Sequence, residues 1–221
     1  MPDQTNNNNE KEVVSELTTR RLSVYLRCLT HLESINQKTV SSHELAEQFH
    51  LNSAQIRKDL ACFGEFGTRG VGYNVPKLRE HLVRTLGIDR VRTVVIIGAG
   101  NLGMALADYG GFNDNGFRVI ALLDVSPEKV GQHSRSGIPV MHYDELPAIV
   151  AEHNIEIGII AVPASSAQRV YDSLASAHVS AILNFAPLQL RTRDGVKLKR
   201  VDLRINPASL SFYLKSAEDG A

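Results

Sequence analysis

The residues Val94-Val95-Ile96-Ile97-Gly98-Ala99-Gly100-Asn101-Leu102-Gly103 run an apolar strand straight into G-x-G-x-x-G. That junction opens a βαβ unit: the first glycine permits a tight bend, the second leaves room for a pyrophosphate, and the third lets the following helix pack closely on the sheet. A second apolar stretch, residues 118–123, ends in Asp124, twenty-six positions after Gly98. A carboxylate there can accept from the adenosine ribose diol and repel a 2′-phosphate, so the spacing predicts NAD(H) rather than NADP(H). A plain turn residue at 124 is the other reading of the same position.

Strand and helix patterns keep alternating downstream. A helix is expected near 144–153, a strand over 156–162, a helix over 165–177, a strand over 181–185 and a β-like tract over 196–203. The economical solution is an α/β, Rossmann-like, doubly wound parallel sheet. Val162 and Pro163 fall at a strand's carboxyl end, where such sheets bind ligands. Tyr109 and Phe112 follow the glycine turn, placed either to shield a nicotinamide or to fill ordinary core. Residues 207–217 carry Leu210, Phe212, Tyr213 and Leu214. That segment is too short to stand alone and too apolar for water, so it is expected to dock.

About ninety residues precede the glycine turn, and they read as a separate unit. Residues 1–14, with their run of asparagines, have little to bury and are expected to be disordered. Leu22, Tyr25, Leu26, Leu29 and Leu32 recur at helical spacing. Ser41 and Glu44 form a capping-box signature ahead of a short helix. After the turn His50-Leu51-Asn52, a second short helix runs to about Phe63 with Ile56, Leu60 and Phe63 inward. Two short helices around a brief turn predict helix-turn-helix, with Ser53, Ala54, Arg57, Lys58 and Ala61 near the free face.

Glycines at 64, 67, 70 and 72 then predict a tight hairpin, a wing with Arg69 at its tip beside Gly70. Pro76 starts a further helix that Gly87 ends. Formal charge is zero overall, yet residues 57–84 hold six Lys and Arg against three acids, a net of +3. Arginine and lysine there can meet phosphates or guanine edges. A solvated face on a small helical domain would give the same charges.

Cys28 and Cys62 lack metal spacing and are expected to be buried or half-buried thiols in a reducing cytosol. No apolar run is long enough to span a bilayer, and the polar N-terminus is unlike a signal peptide, so a cytoplasmic protein is expected. None of the eight histidines falls at an obvious strand-end catalytic position. A NAD-dependent dehydrogenase is the alternative reading.

Taken in order, several blocks resemble the Rex family of redox-sensing transcriptional repressors. They include Gln55-Ile56-Arg57-Lys58-Asp59-Leu60, the glycine-rich stretch 63–73, Gly98–Gly103, Tyr109-x-Gly111-Phe112, Val162-Pro163-Ala164, Ile182–Pro187, Val201-Asp202-Leu203 and Leu210–Leu214. The resemblance implies an N-terminal winged helix over 15–87 and a Rossmann domain over 88–204. It also implies a helix over 205–221 that is swapped into a partner subunit of a homodimer. NADH would release such a protein from palindromic double-stranded operator DNA, with NAD+ competing and compatible with DNA.

Candidate dinucleotide contacts are therefore Gly98, Ala99, Gly100, Asn101, Leu102, Gly103, Asp124, Val162, Pro163, Tyr109 and Phe212. Candidate DNA contacts are Ser53, Arg57, Lys58, Arg69 and Gly70. The resemblance makes Arg27, Tyr109 and Asp202 a state-dependent switch, and no catalytic residue or metal ligand is assigned. One departure stands out: Arg204-Ile205-Asn206-Pro207-Ala208-Ser209 replaces an acidic, leucine-containing turn common in the family. Asn206 and Pro207 still make a sound helix start.

Overall fold

Helix α1 (Glu16–Ser34) begins where Ser15 Oγ accepts the Thr18 amide at 3.2 Å, and it buries one stripe from Leu22 to Leu32. Strand β1 (Thr39–Val40) follows. Helix α2 (Ser42–Phe49) opens on the predicted capping box: the Glu44 amide donates to Ser41 Oγ at 3.1 Å and the Ser41 amide to Glu44 Oε2 at 2.6 Å. His50 turns left-handed, and Asn52 starts α3 (Ser53–Ala61) by accepting the Gln55 amide at 3.0 Å. These two helices and their short turn are a helix-turn-helix.

Strands β2 (Gly67–Thr68) and β3 (Gly72–Asn74) form the expected hairpin, and β1 pairs with β3 on its other side. Asn74 then caps α4 (Val75–Thr85), which buries Val75, Leu78 and Leu82 against α1 and α3 residues in a single core. β1 was not expected, because two residues are too few for an alternation to appear. Cys28 lies in that core, but Cys62 is exposed just past α3, which corrects the expectation of a buried or half-buried thiol. Helix α3 ends before position 62, so the thiol is carried past the inward stripe.

The second unit holds β4 (Arg92–Ile97), α5 (Asn101–Ala107), α6 (Gly111–Asp114), β5 (Phe117–Asp124) and β6 (Val140–His142). It continues through α7 (Leu146–His153), β7 (Ile157–Ile160), α8 (Ala164–Ser176), β8 (Ala181–Asn184) and β9 (Lys197–Arg200). All six strands are parallel, in the order β6-β5-β4-β7-β8-β9. Counted from β4 this is the 3-2-1-4-5-6 order of a doubly wound sheet, and its reversal lies between β4 and β7. Along β4, Val94 and Ile96 pack with Ala107, Val119 and Leu122 on one face. Val95 and Ile97 pack with Ile149, Val170 and Leu174 on the other. Coverage on both sides explains the unbroken apolar run. A single 3-10 turn, Tyr143–Glu145, leads into α7.

The computed structural model describes residues 15–68, 70–114, 116–203, 207, 210, 211, 214 and 215. It divides into two compact units, Met1–Asp89 and Arg90–Ala221. The N-terminal tail 1–14, Arg69 and Phe212 lie outside the described residues. Among the described residues, no helix is long and apolar enough to cross a membrane, and no His, Cys, Asp and Glu cluster could hold a metal ion.

Candidate functional site

At the carboxyl ends of β4, β5 and β7 a cleft of about 450 Å³ opens. Gly98, Gly100, Asn101 and Leu102 line one side, Asp124, Val125 and Lys129 another, and Val162, Pro163, Ser166 and Arg169 the third. Gly98 adopts φ +108°, and a Cβ there would lie 2.5 Å from the Ala161 carbonyl oxygen. A Cβ on Gly103 would lie 1.8 Å from the Gly98 carbonyl oxygen, so α5 can approach β4 only through glycine. Gly100, by contrast, has nothing within 4 Å of that position, and it faces the cleft. The first turn of α5 has no side-chain cap, which leaves its amides open to an anion.

Asp124 ties this turn to β5. Its Oδ2 accepts the Ala99 amide at 2.8 Å and the Lys129 ammonium at 3.1 Å, while Oδ1 accepts the Ser126 amide at 2.9 Å. Burial opposes ionisation, but these donors outweigh it and hold the carboxyl below the usual range. Asp124 is thereby fixed at the end of β5 beside the glycine turn.

Ala99 and Gly103 support the turn from behind and do not line the cleft. Tyr109 does not line it either: it is 60 % exposed and meets Phe112 edge-on, with ring centroids 5.5 Å apart. Asp202 is half-buried just beyond β9. Sequence reasoning missed Lys129, Tyr143, Ser166 and Arg169. The Arg169 guanidinium lies 5.9 Å from the Tyr143 ring centroid, and the Tyr143 hydroxyl is buried without a hydrogen-bond partner among the described residues. An aromatic ring and a guanidinium suit a flat heterocycle such as adenine.

In the first unit, Arg57 and Lys58 are exposed on α3, Ser53 is half-buried at its start, and Gly70 is exposed in the hairpin turn. Arg57 Nη1 donates to Ser42 Oγ at 2.9 Å, which holds the guanidinium between α2 and α3. Arg27 is exposed on α1. Asp59, next to Lys58, points the other way and is 3 % exposed. It accepts from Arg21 Nε at 2.6 Å, Arg21 Nη2 at 2.7 Å, the Tyr25 hydroxyl at 2.8 Å and Gln55 Nε2 at 2.7 Å. This network locks the rotation of α3 against α1, and the sequence reading did not identify it. A signal existed: a carboxylate between Ile56 and Leu60 on the inward stripe has to find a partner.

Two family models match the chain: residues 89–188 fit one described as a CoA binding domain, and residues 13–61 fit a putative DNA-binding protein N-terminus. The redox-sensing transcriptional repressor Rex of Streptomyces avermitilis is 48 % identical over 94 % of this chain and 83 % of that protein. The protein of the same name from Carboxydothermus hydrogenoformans is 46 % identical over 91 % of this chain and 97 % of its own. Among solved structures, RSP in complex with β-NAD+ and operator DNA is similar at a TM-score of 0.88 and 38 % identity, covering 93 % of this chain and 94 % of that one. RSP in complex with β-NADH is similar at a TM-score of 0.84 and 37 % identity, covering 93 % and 96 %. With identity near one half along almost its whole length, this chain belongs to the Rex family of redox-sensing transcriptional repressors.

Proposed function

We propose that this chain represses transcription as a cytoplasmic homodimer on palindromic operator DNA and leaves that DNA when NADH fills the cleft. One observation carries the reading: a solved repressor similar over 93 % of this chain is a complex with both β-NAD+ and operator DNA. Membership of a repressor family sets aside the dehydrogenase alternative.

In this reading the amides of the Gly98–Gly103 turn meet the pyrophosphate, and Asp124 meets the adenosine ribose. Val162 and Pro163 wall the cleft, while Tyr109 and Phe212 are further proposed contacts. Coenzyme A, named in the matching domain description, carries a 3′-phosphate on its ribose. A charged Asp124 disfavours that phosphate and favours a free diol, which supports NAD(H). On the other unit, Arg57, Lys58, Ser53 and the wing residues Arg69 and Gly70 would meet DNA, the guanidinium reading a base edge. Arg27, Tyr109 and Asp202 are the proposed switch residues.

Release requires NADH to bind the DNA-incompetent arrangement more tightly than the competent one, and the coupling acts equally in both directions. A coupling of about 1.4 kcal/mol weakens operator binding tenfold. The test is a duplex selected from random sequence by the protein itself, titrated at fixed salt with NADH and then with NAD+. NADH should weaken binding by at least about tenfold and NAD+ far less. If neither dinucleotide shifts the DNA affinity, the chain is no redox sensor.

A further inference from the structure

The cleft holds one carboxylate and two cations. Asp124, Lys129 and Arg169 are its only acidic and basic lining residues among those described. Lys129 lies in the turn after β5, where its amide donates to the Ser126 carbonyl oxygen at 3.0 Å, so its backbone is fixed. Its ammonium meets Asp124 Oδ2 at 3.1 Å, and its side chain is 40 % exposed. Carboxylate acceptor capacity makes that contact consequential. Oδ2 already takes two donors and Oδ1 takes one. With about four acceptor positions on a carboxylate, one remains, on Oδ1. A ribose diol can engage both oxygens only if Oδ2 gives up a donor, and the longer contact from the half-exposed Lys129 side chain yields more readily than the 2.8 Å bond from the Ala99 amide of the turn. The ammonium therefore occupies the place of a ribose hydroxyl, within reach of whatever substituent that hydroxyl bears.

We infer that Lys129 sets how strictly this cleft refuses a 2′-phosphate: paired with Asp124 its charge is neutralised, and without that carboxylate it becomes a ligand for 2′-phosphorylated adenosine. The inference rests on the dinucleotide reading of the same cleft. Its physical content is charge balance. A bare carboxylate repels a phosphate dianion, a carboxylate–ammonium pair repels it less, and a bare ammonium binds it through charge-assisted hydrogen bonds. Discrimination between NADH and NADPH thus belongs to the pair and not to Asp124 alone.

Calorimetric titration of the full-length protein with NADH, NADPH and adenosine 2′,5′-bisphosphate tests this on Asp124→Ser, Lys129→Met and the double variant. Serine keeps an acceptor near the Ser126 amide, which preserves the turn. Asp124→Ser should bind NADPH and the bisphosphate on the order of ten- to a hundredfold more tightly than the wild type. Adding Lys129→Met should remove most of that gain. A double variant that binds the bisphosphate as tightly as Asp124→Ser would assign the phosphate to Arg169 and overturn the inference. Lys129→Met alone, on a half-exposed side chain, keeps the test alive if Asp124→Ser does not fold: the gap between NADH and NADPH should widen. An unchanged or narrower gap overturns the inference while leaving the dinucleotide reading of the cleft standing. A wild-type protein that ignores NADH would bring down the dinucleotide reading itself, and this inference with it.

Discussion

Asp59 belongs to the helix proposed to read DNA, yet its charge works inside the protein. Burial opposes its ionisation, but the Arg21 guanidinium and the Gln55 and Tyr25 donors outweigh that and hold the carboxyl below its usual range. A depressed folded-state value has a definite sign. The stabilisation is complete above the unfolded value of about 3.9 and is lost as pH falls through the folded value. Acid unfolding of the wild type should therefore contain a component, developing below about pH 4, that Asp59→Asn lacks. Superimposable acid limbs for the two proteins would show that Asp59 contributes nothing by its charge. At neutral pH, Asp59→Ala leaves the Tyr25 hydroxyl without its acceptor in the core and should cost about 2 kcal/mol in denaturant unfolding. Partial exposure of Arg21 keeps the figure below that of a fully buried pair.

For the helix-turn-helix as an element, the contact between Arg57 and Ser42 matters most, because it restrains a long side chain on the proposed reading face. Arg57→Ala should lower the preference for a selected operator over a random duplex by about 1–3 kcal/mol. Lys58→Ala should weaken both and reduce the salt slope by about 0.9. Competition binding at several salt concentrations separates them, and equal losses on both duplexes in Arg57→Ala would make it a phosphate contact. Much of this element was legible in the sequence, because caps and apolar spacing are local: Ser41 with Glu44, and the Ile56–Leu60 stripe. The glycine turn was legible for the same reason. What joins distant positions was not. Arg21 lies 38 residues from Asp59, and Lys129, Tyr143 and Arg169 reach the cleft from three separate segments. Edge strands of two or three residues, β1 and β6, leave no periodic trace.

Across the whole molecule, each unit has its own core, so the loss of one segment need not unfold the other parts. The described residues of the final segment include Leu210 and Leu214, 63 % and 67 % exposed, in helical conformation. Exposed leucines on a helix call for a covering surface, and the symmetric partner proposed above would supply one while doubling the DNA half-sites. Deleting residues 207–221 should leave the nucleotide-binding fold formed but abolish tight dimerisation, operator binding and the NADH response. Light scattering and operator binding on the truncated chain decide this together, and a tight dimer that still releases DNA with NADH would show that the helix packs within its own subunit. The internal bond from Ala99 to Asp124 has a further consequence, for time. The glycine turn is braced by the Asp124 carboxylate before any dinucleotide arrives. A turn set in advance adds no folding step of its own to binding, so occupancy of this cleft is expected to rise as fast as the dinucleotide arrives and to fall at its rate of escape, which stopped-flow binding of NADH would measure.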